Sequence, residues 1–114
     1  METIRLLVEE NSEKLWRTFE GRALAGSLCG KFAMGVTGDR PGYKNMLVFQ
    51  AASGKLVVYR IKYAITDEPG VIQIYSDFDA LRTAIPAAAY DEAAVKAGRQ
   101  APVTYRELPL EGVE

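Results

Sequence analysis

The stretch IQIYSDFDALRTAIPAAAYDEAAVKAG, residues 72–98, decides how the rest of the chain is read. A strand pattern stops at Ser76 and a helix pattern starts at once. Ser76 followed by Asp79 fits a helix start of the S-x-x-D form, with acidic side chains in the first turn where the backbone dipole favours them. Phe78, Leu81 and Ile85 then fall on one apolar stripe. Pro86 cannot continue that helix, because it lacks an N–H and clashes with the preceding turn. It suits the first turn of a new one. The spacing predicts two short helices, 77–85 and 86–97, with Gly98 stopping the second. Glu92 and Lys96 support the second as an i, i+4 pair, and its alanines let it lie close to a sheet. The stretch therefore reads as a clamp on a sheet, with Phe78, Leu81, Ile85 and Tyr90 facing inward. Asp77 and Asp79 could instead serve as an acid–base pair. Their place within one first helical turn favours capping.

Upstream, the pattern is of strands. TIRLLVEE, residues 3–10, alternates, and Asn11-Ser12 makes a turn. KLWRTFEG follows with Leu15, Arg17 and Phe19 on one side, and Glu20-Gly21 is an expected break. SLCGKFAMGVT, residues 27–37, alternates as one strand, and its two glycines suggest a bend, a bulge or a close backbone approach. GDRPGYKN, 38–45, reads as a loop. NMLVFQAASGKLVVYRIKYAI, 45–65, is the strongest hairpin, turning at Ser53-Gly54. In its second strand Val57, Tyr59, Ile61, Tyr63 and Ile65 form the core candidate face, leaving Arg60 and Lys62 to face outward. APVTYREL, 101–108, is expected to return as a last strand. Short turns between successive strands imply antiparallel pairing. The expected fold is α+β: one domain over 1–114, a curved, mostly antiparallel sheet of about six to seven strands, and a late helix pair packed on it.

Composition narrows the chemistry. The chain has 114 residues, 48% hydrophobic and 25% charged, as an ordinary globular domain has. No run approaches the roughly 20 apolar residues of a membrane-spanning helix, and METIRLLVEE lacks the pattern of a secretory leader, so a cytoplasmic protein is expected. There is no histidine and one cysteine, Cys29. Serine–histidine and cysteine–histidine catalysis, His-ligated metals and an intrachain disulfide are thereby excluded. No cofactor is expected. Net charge is −1, which disfavours a nonspecific nucleic-acid binder. The charge is divided, however: residues 1–62 carry ten Lys or Arg against six Asp or Glu, and residues 63–114 carry four against nine.

Three groups are candidate sites. Arg60 and Lys62, with Lys31 and Arg17 and with Arg22 nearby, would make a basic sheet face able to meet an acidic partner. The plainer reading is a solvated face whose charges protect an edge. Tyr59, Tyr63 and Tyr75 would line a pocket between sheet and helices, or simply pack in strands. Arg40, Tyr43 and Lys44 sit in a glycine-flanked loop able to hold an anion, though without the spacing of a phosphate-binding loop. Cys29 beside Lys31 has a setting that favours thiolate, but with no His or second Cys it reads as a packing residue.

The run YSDFDALRTAIPAAAYDEA resembles the C-terminal part of the actinobacterial EXLDI family, through Ser76, Asp77, Leu81, Arg82, Ile85, Pro86 and Tyr90. FEGRALAGS and FQAASGKLVVYRIKY are similar to that family's preceding strands, so the likeness covers residues 14–110. It departs at Arg106 to Leu110, where only Leu108 matches the family's closing motif. The resemblance implies a shared fold and a regulatory setting; it carries no activity and no catalytic residues. From the residues, the expected function is a non-catalytic interaction or regulatory module that binds an acidic partner, or a second copy of itself, through the basic face. The alternative is a small-molecule binder with a tyrosine-lined cavity.

Overall fold

The computed structural model describes residues 1–29, 32–63, 68–99 and 106–112. It is α+β, a curled antiparallel sheet with two short helices late in the chain. Strands β1 (Glu2–Glu10) and β2 (Glu13–Ala25) form a long hairpin, in register from Glu2↔Gly21 to Glu10↔Glu13. Asn11 and Ser12 both take positive φ, 52° and 62°, as the right-handed twist of a two-residue turn demands. Ile4, Leu6 and Val8 are buried along one face of β1.

β2 does not break at Glu20-Gly21, as the sequence suggested; it continues to Ala25. The signal there marks a close approach instead. A Cβ on Gly21 would stand 2.5 Å from the Gln50 carbonyl oxygen, so only glycine lets β2 run on against its next neighbour. From Gly21 onward β2 pairs with β6 (Tyr43–Ala51), with a register shift between Ala23 and Ala25. A shift of that kind bends a strand and increases its twist.

The single strand expected over 27–37 is divided. β3 (Ser27–Cys29) and β4 (Phe32–Met34) pair with each other as a separate two-stranded sheet. β5 (Val36–Arg40) then joins β6. An unbroken period of two cannot reveal that division, because it looks the same in one strand or in two. The expected 38–45 loop is likewise mostly strand. Only Pro41 and Gly42 make the turn, and Arg40 opposes Tyr43.

β6 and β7 (Leu56–Ile61) form the hairpin read from the sequence, with Gly54 at φ 94° and its N–H on the Ala51 carbonyl. β8 (Val71–Tyr75) pairs with the far side of β7, which gives the order β1-β2-β6-β7-β8. The sheet curls until its ends touch. Val8 bridges Gly70 in parallel, and the Gly70 N–H donates to the Leu7 carbonyl at 2.9 Å. The inside of the curl holds Ile4, Leu6, Val8, Leu47, Phe49 and Tyr59, among others.

The other face of the sheet carries the helices α1 (Phe78–Arg82) and α2 (Ala87–Lys96). Phe78, Leu81, Ile85 and Tyr90 are buried there against Met46, Val48, Leu56 and Val58, as the clamp reading required. The cap is shifted by one residue: Asp77, not Ser76, stands at the helix start in extended backbone, and its carboxylate accepts from the Ala80 N–H at 2.8 Å. α2 ends with Gly98 at φ 76°. With the inner and the helix face both covered, β7 is buried at every position. That corrects the expectation of one core face and one outward face. The run LVVY is apolar throughout because both its faces are packed. Among the described residues, 106–112 form neither strand nor helix; the rest of the expected last strand, 101–105, lies outside the described residues.

Candidate functional site

Arg60 is not part of an outward basic face. It is 1% exposed on the helix side of β7. Its Nη1 donates to the Gln73 Oε1 at 2.6 Å, and its Nη2 donates to the Ala84 carbonyl, just past α1, at 3.2 Å. Tyr75 Oη donates to the same Gln73 oxygen at 3.1 Å. Arg60 thus ties β7, β8 and the α1–α2 connection together. A buried guanidinium has to be hydrogen-bonded, and this one is.

Arg17 lies on the opposite side of the sheet, alternating with Leu15 and Phe19, and is exposed. Its Nε and Nη2 each donate to a Glu10 carboxylate oxygen at 2.6 Å. That pair holds the Glu10 carboxyl below its usual range and pushes Arg17 up, the hydrogen bonds contributing most. Arg22 reaches the Gln50 side chain at 3.2 Å. Lys62 is exposed just past β7, and Lys31 lies outside the described residues. Arg60 and Arg17 therefore occupy opposite faces, and no common basic face joins them.

The tyrosines are separated as well. Tyr59, 2% exposed, faces the inside of the curl, where its Oη donates to the Leu7 carbonyl at 2.8 Å. Burial pushes its pKa up. Tyr75 is on the helix side, and Tyr63 is exposed. The layer between sheet and helices, where the cavity was expected, is filled by Leu24, Met46, Val58, Leu81, Ala93 and their neighbours. The backbone of Cys29 is in β3.

Two depressions flank the Val8–Gly70 closure. The smaller, about 450 Å³, brings Tyr43 and Lys62 together with Lys14, beside Glu9 and Glu68. Tyr43, one of the three residues of the expected anion loop, thus meets Lys62 of the expected basic face, but acids accompany the cations. Lys44 is exposed and outside this depression.

The larger, about 580 Å³, opens at the mouth of the curl. Its wall is apolar: Val8, Phe19, Val57, Ile72 and Ile74. Glu10, Arg17 and Lys55 also line it. Phe19 is fixed edge-on against Phe49, ring centroids 6.0 Å apart. Ile74 remains 64% exposed on β8, an edge strand whose paired neighbour is β7. Sequence reading missed Phe19, Ile72 and Ile74 as site residues. The available signal was the alternation of Ile72 and Ile74 in VIQIY, which gives β8 an apolar stripe on the face turned away from the helices.

Among the described residues no three His, Cys, Asp or Glu side chains converge as a metal would need, and no helix is long and apolar enough to cross a membrane. No protein-family model, curated protein or solved structure matches this chain.

Proposed function

We propose that the protein is a non-catalytic interaction module whose receiving surface is the groove at the mouth of the curled sheet. The observation that carries this reading is the groove itself. A wall of five apolar side chains ends on a sheet edge where Ile74 stays 64% exposed. Its volume, about 580 Å³, lies in the usual range of ligand sites. An extended chain laid along β8 would gain main-chain hydrogen bonds from the edge and side-chain burial from the wall. The charged side chains around the wall balance, Glu9 and Glu10 against Arg17 and Lys55, and Arg17 is bonded to Glu10, so the apolar wall and the sheet edge carry the affinity.

A reducing, cytoplasmic setting and a regulatory role belong to the same proposal, in keeping with the single cysteine and the EXLDI likeness.

The test is a nuclear magnetic resonance titration with a blocked synthetic peptide of alternating leucine and glutamate. Signals of Phe19, Val57, Ile72 and Ile74 should move. A peptide with serine in place of leucine should bind at least several-fold more weakly, since the wall is apolar. Shifts confined to the helix face, or none at millimolar peptide, would overturn the reading.

A further inference from the structure

We infer that the groove takes its extended partner antiparallel to β8, with the partner's C-terminal end at the Val8–Gly70 closure. The inference rests on the module reading above and deepens it: the partner is a short strand, apolar on one side, that completes an antiparallel sheet.

The reason lies in the count of strands. Along the path β1-β2-β6-β7-β8 every neighbouring pair is antiparallel. Direction therefore alternates, and the first and last strands run the same way. Where they meet, at Val8 and Gly70, the bridge is parallel and isolated. A curl of an odd number of alternating strands has to close on one such junction. Parallel pairing is slightly less stable per residue than antiparallel pairing, and here it stops after one bridge. Beyond that bridge β1 continues through Glu9 and Glu10, and β8 runs from Val71 to Tyr75. Glu9, Glu10, Val71, Ile72 and Ile74 all line the groove. The groove is thus the gap between two edges that run in the same direction. Among the described residues no strand stands in it.

One strand entering the gap makes the count even. A strand that runs opposite to β8 also runs opposite to β1, so it meets both edges in antiparallel pairing. A strand that ran along β8 would make two parallel junctions. Both edges lead away from the closure, so the partner leads towards it, with its first residues by Tyr75 and its last by Gly70. Nothing in β8 resists pairing: VIQIY holds neither a charge nor a proline, the usual guards of an exposed edge. Alternate residues of a strand share one side. Those of the partner that face Ile72 and Ile74 meet the wall that Phe19 and Val57 also line, and should be apolar. The lip adds no preference of charge, since its acids and bases balance.

The experiment uses the blocked leucine–glutamate peptide, cut to the five residues of β8 and carrying a nitroxide at its first or at its last residue. Paramagnetic broadening is read on the full chain. The label on the first residue should broaden Tyr75 and Ser76 most, and the label on the last residue Val8 and Gly70. Ile74→Asp should weaken binding roughly tenfold or more. Its circular dichroism spectrum should stay unchanged, since Ile74 is exposed. Groove signals that shift while the broadening is reversed, or is the same from both labels, would sink the orientation alone. Groove signals that ignore the peptide, or binding undiminished by Ile74→Asp, would sink the module reading with it. In the free protein, nuclear Overhauser contacts to the outer edge of β8 from another part of this chain, or from a second copy, would also overturn the inference, because the gap would already be filled.

Discussion

Tyr59 joins the two ends of the curled sheet with one hydroxyl. Its bond to the Leu7 carbonyl supplements the one that carbonyl accepts from the Gly70 N–H. Tyr59→Phe removes one bond and leaves no orphan, so it should cost about 1 kcal/mol in urea denaturation. Its pH dependence has a definite sign. The folded pKa lies above the unfolded one, so the fold favours the neutral phenol. That contribution is complete below the unfolded value of about 10 and is lost as pH rises through the folded value. The stability gap between wild type and Tyr59→Phe should therefore narrow above about pH 10. A gap that widens there would contradict the buried setting. Arg60 gives a larger effect. Arg60→Met should cost about 3 kcal/mol, because the Ala84 carbonyl and the Gln73 side chain lose a charged donor. A surface arginine would cost no more than about 0.5 kcal/mol. Reading Arg60 as outward was reasonable from alternation alone, since no local rule reports that a second layer covers that face.

At the level of elements, the helix pair and the β6–β7 hairpin were legible because their signals are local. A proline after an eight-residue apolar stripe, a cap within three residues and a Ser-Gly turn each act through neighbouring backbone. The clamp they describe makes a direct prediction. Leu81 is fully buried at 0% exposure, so Leu81→Ala should cost about 2–5 kcal/mol and lower the melting temperature. A cost under about 1 kcal/mol would mean that α1 does not hold the sheet. The weaker readings were those of 27–37 and 38–45, where strands are short. Val36 and Thr37 are held by pairing with Met46 and Asn45, not by any pattern of their own. The groove residues fall between these cases. Ile72 and Ile74 alternate visibly, but their use depends on what stands opposite.

What stands opposite is decided by the whole molecule. The β1–β2 hairpin, joined to β6 from Gly21 onward, brings Val8 to Gly70, sixty-two positions along the chain by residue number. A Cβ on Gly70 would lie 2.6 Å from both the Arg60 carbonyl and the Tyr59 ring, so the closure needs glycine there. That contact closes the curl beside the groove that Phe19 and Ile74 both line. The sequence by itself determined the class of fold, the clamp of 77–97, the presence of the β6–β7 hairpin and the exclusion of histidine chemistry, since these follow from composition and from spacings of a few residues. Only the tertiary structure decided that both faces of β7 are covered and that an apolar groove opens at the mouth of the curl. Those facts depend on pairing between residues distant in sequence, and the alternation of a strand is the same whichever partner covers it.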